Sequence, residues 1–471
     1  MSLFASELKL VLRSRIAAGA LLLLFLLSAL AVWSGLSAAA RQEAAIERVQ
    51  AAHAQDIAAV AERYGKPDGD AGYAAYYTFY LTWDRPSPLA FAALGQRDIQ
   101  PYTLRVRALG LQAQLYESEN VNPELALPGP FDWAFVLIYL APLVVIGLMH
   151  DLVSGEREAG RLRLLLSLPG GRGLWLRRLG VRFGLVFAAL GLPLVAGLLI
   201  AATPVPLGLA GLGVAALYLG FWFGLGLLVA AMVRTSGAGA AALLGCWILL
   251  TLVLPTLAST AINRAVPAGR GIDLTLAQRE TVHAAWDQPK EATFERFFVN
   301  HPEWRGTPPV TTRFHWKWYF AFHQVGDEAV APQLEEYRAS LAARERWTER
   351  SGWLLPSVAT QVLLHRLADT DLAAQLAYQD SISDLHRRVR YFYYPYLFEE
   401  RPFTRADFEA LPAYEPRPFG GSFGWGSAAV LGLLAALFLI LGLRRARRVG
   451  MAGGGASAGP AADASLKPLL T

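Results

Sequence analysis

Residues 16–36 read IAAGALLLLFLLSALAVWSGL, an uncharged stretch long enough to cross the hydrocarbon core of a bilayer as a helix. Of the 471 residues, 54% are hydrophobic, which is more than a soluble globular protein usually contains. The first stretch is longer than the apolar core of a cleaved secretory signal, although residues 37–40 weakly resemble a cleavage site. We therefore predict a membrane protein, with one transmembrane helix in each of the apolar stretches 16–36, 133–150, 183–202, 207–233, 238–262 and 425–443.

The basic residues indicate which way the six predicted helices point. Lys and Arg are concentrated in residues 1–15, 151–182 and 444–448, next to apolar stretches. Loops rich in Lys and Arg stay in the cytoplasm, and six spans place all three basic segments on the same side. We predict a multi-pass, all-α protein of the bacterial inner membrane with both termini in the cytoplasm. The first basic segment, 1–15, is also amphipathic.

With six spans and the N-terminus in the cytoplasm, two long segments lie outside the cytoplasm, 37–132 and 263–424. We predict that they form two mainly helical domains. A helix-like run over 41–64 breaks at the Gly- and Pro-containing residues 65–69, and neither segment shows an alternating strand pattern. A short apolar run at 353–364 is interpreted either as a helix on the membrane surface or as a core helix. The tail 444–471, rich in Gly and Ala, is expected to be disordered.

Several classes of function are disfavoured by the sequence. The net charge of +5 comes from basic residues beside apolar stretches, so it does not indicate nucleic-acid binding. Transport driven by an ion gradient usually needs ionisable groups at membrane depth, and Asp132, His150, Arg182 and Arg234 fall at the ends of spans. The sequence also lacks a phosphate-binding G-x-x-x-x-G-K-[ST] loop. If the protein pumps anything, its energy must come from a partner. Its single cysteine, Cys246, lies within the fifth predicted span, so we expect no disulfide.

The loop between the second and third spans suggests how that energy arrives. Residues 151–169 read DLVSGEREAGRLRLLLSLP, in which Leu162, Leu165 and Leu166 share a helical face and Pro169 stops the helix. We predict a short helix at the inner surface of the membrane. The residues of this loop, taken alone, also fit an ordinary interfacial helix that transmits nothing and whose arginine side chains reach the lipid headgroups.

This loop resembles that of the type-2 ABC exporter permeases, in which Glu-x-Glu-x-Gly-x-Leu is followed by Leu-Leu-x-x-Pro. The residues that carry the resemblance are Glu156, Glu158, Gly160, Leu162, Leu165, Leu166 and Pro169. The resemblance implies a coupling helix, including Arg157 and Arg161, that docks on a dimer of a separate ATPase subunit. ATP and Mg²⁺ would bind to that partner, and this chain would bind no cofactor. Arg161-Leu162 departs from the usual Gly-Thr-Leu, which leaves the ATPase contacts open. The amphipathic segment 1–15 similarly resembles the connecting helix of these permeases, which implies a helix on the inner surface of the membrane before the first span.

The approach to the second span, 131–143, resembles one branch of these permeases, with large extracytoplasmic insertions, often described as permeases for multicopper-enzyme maturation. Such permeases work in pairs, which implies a second copy or a paralogous permease as partner. Gly220 and Gly224 in the fourth span permit the close approach that a dimer interface needs, but they equally suit packing within one chain.

Aromatic residues outside the predicted membrane offer a candidate ligand or partner surface: Trp316, Trp318, Tyr391, Tyr393 and Tyr394. Aromatic residues at such positions more often form a core or mark the membrane boundary. His315 and His323 lie two helical turns apart, but soft thioether ligands for copper are absent from these segments, so we predict no metal site. No arrangement of nucleophile, base and acid stands out, and we predict no enzyme activity for this chain.

Three functions remain as hypotheses. The first is export or extraction of a substrate, coupled to a separate ATPase through residues 156–169. The second is mechanotransmission, in which the ATPase moves the spans and the outer domains act on a periplasmic protein without transport. The third is an ATP-independent membrane scaffold or sensor. The sequence does not indicate a cargo.

Overall fold

Six helices in the described residues are long and apolar enough to cross a membrane. The computed structural model describes residues 3–116, 130–167, 173–267 and 271–452. The six candidate spans, numbered in chain order, are Arg15–Tyr64, Trp133–Glu158, Leu174–Ile200, Val205–Met232, Ser236–Ala265 and Trp425–Arg448. Each predicted stretch falls in one of them, although the third and fourth predictions run slightly past the helix ends. The prediction of six helices suited to crossing a membrane is confirmed.

The first span is part of a much longer helix. Helix α1 (Leu3–Arg13) precedes it, as predicted, and α2 (Arg15–Tyr64) then runs for 50 residues without a break. At 1.5 Å per residue this helix is about 75 Å long, more than twice the thickness of a bilayer core. It begins where the Ser14 hydroxyl accepts a hydrogen bond from the Ala17 N–H and ends at Gly65, the predicted break.

The second and fifth spans each contain a π-helical turn. The second is built from α5 (Trp133–Phe135), a π turn (Val136–Leu140) and α6 (Ala141–Met149). The fifth is built from α11 (Ser236–Trp247), a π turn (Ile248–Val253) and α12 (Leu254–Ala265).

Proline explains where these turns occur. Pro142 and Pro255 follow the two turns closely, and a proline has no N–H to donate to the preceding helical turn. A carbonyl left free in this way needs another partner inside a membrane. The Ile138 carbonyl finds one in the fourth span, where the Tyr218 hydroxyl donates to it over 2.9 Å.

The remaining spans are regular helices: α9 (Leu174–Ile200), α10 (Val205–Met232) and α20 (Trp425–Ala452). The fourth span, α10, is the most buried of the six and the fifth is the least buried. Helix α20 continues to Ala452, so the expectation of a disordered tail is wrong for residues 444–452, and residues 453–471 lie outside the described part of the chain.

The segments predicted to be two separate domains share one hydrophobic core. Ala74 and Tyr80 from the first segment pack with Phe320, Tyr378 and Phe398 from the second. We call this shared unit the head; its elements lie between Gly65 and Tyr116 and between Gly271 and Gly421. Its helices are α3 (Ala71–Tyr77), α4 (Leu111–Tyr116), α13 (Gly271–Ala284), α14 (Lys290–Asn300), α15 (Trp316–Ala329), α16 (Ala331–Ser351), α17 (Pro356–Leu367), α18 (Leu372–Phe398) and α19 (Arg405–Glu409).

The head also contains strands, which the sequence did not predict. Strands β1 (Tyr80–Trp83) and β2 (Thr103–Val106) pair antiparallel, with Tyr80 opposite Val106. Each strand has only four residues, too few for an alternating pattern to stand out. The prediction of a mainly helical unit holds, with this hairpin as an exception.

Helix α17 joins the head to the spans. It covers most of the apolar run 353–364, and its Leu363, Leu364 and Leu367 belong to the same buried cluster as the spans. Its Ser357 hydroxyl donates to the Leu250 carbonyl, in the π turn of the fifth span, over 2.9 Å. Of the two interpretations of this run, a core helix fits better than a surface helix.

Candidate functional site

Basic segments that are far apart in the sequence meet at one end of the helix bundle. We call this the basic end; it comprises Leu3–Arg13, Ser154–Ser167 and Leu174–Arg182. Arg178 is buried there, and its Nε lies 3.4 Å from the Glu7 carboxylate of α1. The predicted connecting helix therefore packs against the start of the third span.

The predicted coupling loop forms two short helices instead of one. They are α7 (Ser154–Glu158) and α8 (Leu162–Ser167). Gly160 lies between them with φ +68°, a left-handed conformation that glycine adopts without a side-chain clash and that ends a helix. The prediction of a single helix is wrong for this reason. Pro169, the predicted helix stop, lies outside the described residues.

Glu156 attaches the loop to the third span. One carboxylate oxygen accepts a hydrogen bond from Arg178 over 2.9 Å, and the other accepts one from Arg161 over 3.0 Å. Because Arg178 also contacts Glu7, this one carboxylate links the loop to both α9 and α1. A substitution at Glu156 therefore changes the attachment of the loop to its own chain.

Arg157 and Glu158 attach the loop to the fourth and fifth spans. The Arg157 guanidinium donates to the Val233 carbonyl, just after the fourth span, over 2.9 Å. The Glu158 carboxylate accepts hydrogen bonds from the Ser236 N–H (3.0 Å) and the Ser236 hydroxyl (2.7 Å) at the start of the fifth. A carboxylate at this position also interacts favourably with the N-terminal end of the helix dipole. The loop thus holds four spans together at the basic end.

The side of the loop that faces away from the spans consists of other residues. Leu162 is buried, and Leu165 and Leu166 pack against the buried cluster of the spans. Besides Glu158, the exposed residues of Ser154–Ser167 are Ala159, Gly160, Arg161, Arg163, Leu164 and Ser167, and Leu164 has 62% of its area exposed. Leu164 is the one large apolar side chain on this exposed face of Ser154–Ser167. The sequence pattern pointed to this loop, but it did not reveal which of its residues face outward.

A second candidate site, which the sequence analysis missed, lies at the opposite end of the second and fifth spans. It is a cleft of about 820 Å³, in the size range of small-molecule sites. Both π turns contribute to its wall, through Ile138 and Tyr139 on one side and Thr251 and Leu252 on the other. The other lining residues are Gly95, Gln96, Asp98, Ile99, Pro130, Asp132, Ala134, Phe135, Pro255, Thr256, Ser259, Thr260, Gln361 and His365.

The described lining of the cleft carries acidic groups and no Lys or Arg. Asp132 is buried and accepts hydrogen bonds from the Leu94 N–H (2.8 Å) and the Phe135 N–H (2.9 Å). Burial raises the pKa of the Asp132 carboxyl to about 6, so it is mainly ionised at pH 7. Burial lowers the pKa of the His365 imidazole to about 4, so this ring is neutral.

A signal for this cleft was present in the sequence. Thr251, Thr256, Ser259 and Thr260 place four hydroxyls in the later part of one apolar span, near Pro255. In a membrane, hydroxyl-bearing residues beside a proline are typical of helices that bend or line a cavity. The partner wall comes from the second span and the head, which no local pattern could indicate.

Most of the predicted aromatic surface is buried. Trp318, Tyr393 and Tyr394 lie in the head with 3% or less of their area exposed, so they form core instead of a ligand surface. Trp316 is half-buried, and its ring packs against Tyr73 at 5.1 Å between centroids. Of the five predicted residues, Tyr391 alone is largely exposed, at 49%.

The predicted glycine pair packs within the chain. A Cβ at Gly224 would lie 2.6 Å from the Leu439 backbone nitrogen of α20, and one at Gly220 would lie 3.6 Å from the Ala435 Cβ. Both glycines therefore face the sixth span of the same chain. Of the two roles considered for them, a dimer interface and packing within one chain, this contact corresponds to packing within one chain.

The two histidines that lie two helical turns apart in the sequence have different partners. His315 Nδ1 accepts a hydrogen bond from the Lys317 N–H, whereas His323 Nδ1 accepts one from the Gly110 N–H. Within the described residues, no group of three or more His, Cys, Asp or Glu side chains has an arrangement that could hold a metal ion.

Residues 273–417 match a sequence family described as a domain of unknown function, DUF3526. The match covers less than half of the chain and lies almost entirely within the head. Neither a curated protein nor a solved structure matches the chain. The match supports treating this part of the head as a recurring unit, and it assigns no activity.

Proposed function

We propose that this chain is the membrane-spanning permease subunit of an ABC exporter in the bacterial inner membrane. In this proposal the basic end faces the cytoplasm, the head faces the periplasm, and a separate ATPase dimer binds ATP and Mg²⁺. The observation that carries the proposal is the loop Ser154–Ser167, which is bonded to several spans and still presents an exposed face.

The bonds of the loop suggest how a force on it would reach the substrate path. Glu156, Arg157 and Glu158 connect it to the third, fourth and fifth spans, and the loop itself continues the second. A movement of the loop would therefore be passed to both the second and the fifth span. These two spans form facing walls of the cleft at the other end, so any tilt of one against the other would open or close it. The weakly buried fifth span leaves surface for lipid or for a second permease.

The exposed face of the loop provides the test. We would substitute Leu164→Asp and compare it with Leu276→Asp, a control of the same residue type and similar exposure in the head. Candidate ABC ATPase subunits would be screened for association with the unmodified chain, and we expect Leu164→Asp to abolish that co-purification and the stimulation of ATPase activity. Leu276→Asp should retain both, and neither change should alter the melting temperature by more than a surface substitution does. Normal association of the Leu164→Asp variant would contradict the proposed docking face.

One observation favours mechanotransmission as a second function. Helix α2 passes without interruption from the first span into the head, ending at Tyr64, so it can carry movement as a rigid rod. In this function the helix would transmit movement of the spans to the head, and the head would act on a periplasmic partner, for example in metalloenzyme maturation. Ala40 is exposed on this helix, and Ala40→Pro would remove a helical hydrogen bond and kink the rod.

The kinked variant separates the two functions. If the chain works by mechanotransmission, Ala40→Pro should abolish maturation of the periplasmic partner while coupled ATP hydrolysis continues. If the chain is an exporter, ATP-dependent transport into inverted membrane vesicles should persist. The matched substitution Ala40→Ser keeps the helix and should leave both unchanged.

A further inference from the structure

We propose that the cleft between the second and fifth spans binds a cationic amphipathic molecule. The inference depends on the proposed export function only for the direction of movement, because binding can be measured on the isolated chain. It deepens that function by naming the chemical class of the substrate.

Charge is the first argument. Asp98 lies exposed beside the cleft, Asp132 lies within its wall, and the described lining contains no Lys or Arg to neutralise them. His365 adds no positive charge at neutral pH. The cleft adjoins the membrane-spanning helices, where a lower dielectric constant than that of water strengthens the attraction of a cation to these carboxylates. An anionic ligand would be repelled by the same two groups.

Two of the four hydroxyls that the fifth span places in the cleft, those of Thr256 and Thr260, are the second argument. The Thr256 hydroxyl donates its proton to the Leu252 carbonyl over 2.7 Å, and the Thr260 hydroxyl donates to the Thr256 carbonyl over 2.9 Å. Since both protons are used within the helix, the oxygens offer only acceptor lone pairs to a ligand. Such acceptors suit an ammonium group or another cation better than an anion.

The remaining wall suits an apolar body. Phe135 and Tyr139 lie with ring centroids 5.0 Å apart, and Ile138, Leu252 and Pro255 complete the apolar lining. Aromatic rings attract cations through their faces as well as contacting hydrocarbon. The volume of about 820 Å³ accommodates a molecule with several rings or a long chain. Together, these groups provide separate positions for a charged part and an apolar part of one ligand.

The test uses two ions of the same shape and opposite charge, tetraphenylphosphonium and tetraphenylborate. The full chain would be reconstituted in nanodiscs of zwitterionic lipid, and saturable binding would be measured by equilibrium dialysis after subtraction of empty nanodiscs. The variants are Asp98→Asn and Asp98→Lys, with Asp287→Asn as control, because Asp287 is an exposed aspartate that does not line the cleft. Melting temperatures would verify that each variant is folded.

We expect saturable binding of tetraphenylphosphonium to the unmodified chain and no saturable binding of tetraphenylborate. Asp98→Asn should weaken phosphonium binding by about tenfold, and Asp98→Lys should abolish it. Asp287→Asn should bind as the unmodified chain does. Equal binding of the two ions, or unchanged phosphonium binding by Asp98→Lys, would overturn the proposal.

The two proposals fail independently. If phosphonium binding shows the expected charge dependence while Leu164→Asp still associates normally with the ATPase, the cleft is a cation site and the docking face is wrong. If Leu164→Asp loses the ATPase while the cleft binds neither ion, the permease assignment stands and the substrate class is wrong.

Discussion

The basic end and the head are held to the spans by different kinds of contact. At the basic end, two short helices are attached by charged side chains, chiefly Glu156 and Glu158, and by three leucines of α8 that pack against the spans. In the head, a large aromatic core is reinforced by buried ion pairs and by α2, which is continuous with the first span. The loop is therefore attached through a few side chains, whereas the head rests on one large buried core.

The buried ion pairs of the head join its two parts of the chain. Asp84 contacts Arg97 and lies 2.9 Å from Arg417, which also contacts Asp369 over 2.8 Å. All four side chains are at least 88% buried. Asp84 and Arg97 precede the second span, whereas Asp369 and Arg417 precede the sixth, so the network links segments far apart in the sequence.

The largest effect is expected from breaking this network. Asp84→Ala leaves Arg97 and Arg417 buried without their shared partner, which should lower the free energy of unfolding by about 3–5 kcal/mol. Chemical denaturation of the detergent-purified protein measures this change. The control is Asp56→Ala, which removes an exposed ion pair with Arg105 and should cost about 1 kcal/mol or less. Equal effects of the two variants would show that the network does not stabilise the head.

A smaller loss is expected at the basic end. Arg178→Leu removes the shared partner of Glu7 and Glu156, and we expect a cost of about 2–3 kcal/mol, because Glu156 keeps Arg161. Release of α1 should also expose the chain near Arg13 to protease. Leu10→Ala, on the same helix, should leave protease resistance unchanged, since Leu10 is exposed. Protection of α1 in the Arg178→Leu variant would contradict the role given to this arginine.

The head should also lose stability in acid because of buried imidazoles. Burial lowers the pKa of His323 to about 3, and its Nε2 is shut off from solvent. The unfolded chain binds this proton at higher pH than the folded one, so stability is present above pH 6.5 and is lost as the pH falls. His323 alone should contribute a loss of about 2 kcal/mol between pH 7 and pH 5.

The substitution His323→Gln isolates this contribution, since a glutamine oxygen can still accept from the Gly110 N–H. We expect the variant to lose less stability than the unmodified chain between pH 7 and pH 5. The variant must be compared with the unmodified chain because Asp327 has the opposite effect on stability. Burial raises the pKa of the Asp327 carboxyl, so its protonation favours the folded chain as the pH falls. His283→Gln, at an exposed site, should not change the slope. Identical slopes for the unmodified chain and His323→Gln would contradict the assignment.

The smallest effect concerns the packing of the fourth span on the sixth, two helices that run between the basic end and the head. A Cβ at Gly224 would meet the α20 backbone at 2.6 Å, so Gly224→Ala should cost about 1–2 kcal/mol. Gly220→Ala makes an ordinary contact of 3.6 Å with Ala435 and should be nearly neutral. Melting temperatures in detergent distinguish the two. If Gly220→Ala were the more damaging, the observed packing of α10 on α20 would be wrong.

The sequence by itself determined the six spans, the end of α2 at Gly65 and the position of the loop between the second and third spans. Hydropathy over about 20 residues decides whether a helix can cross a bilayer, and it is a local property of the chain. Local patterns also identified Glu156 and Glu158 as residues of interest. These patterns could not show that both side chains point toward the spans of the same chain.

Only the tertiary structure decided which groups meet. Glu158 bonds to Ser236, 78 residues away, and Arg178 reaches Glu7, 171 residues away. The burial of Trp318 and Tyr393, the shared core of the head and the cleft between two π turns likewise depend on partners from distant segments. A side chain takes its burial, charge state and partners from whatever packs against it in space. The periodicity of one segment contains no information about that neighbour.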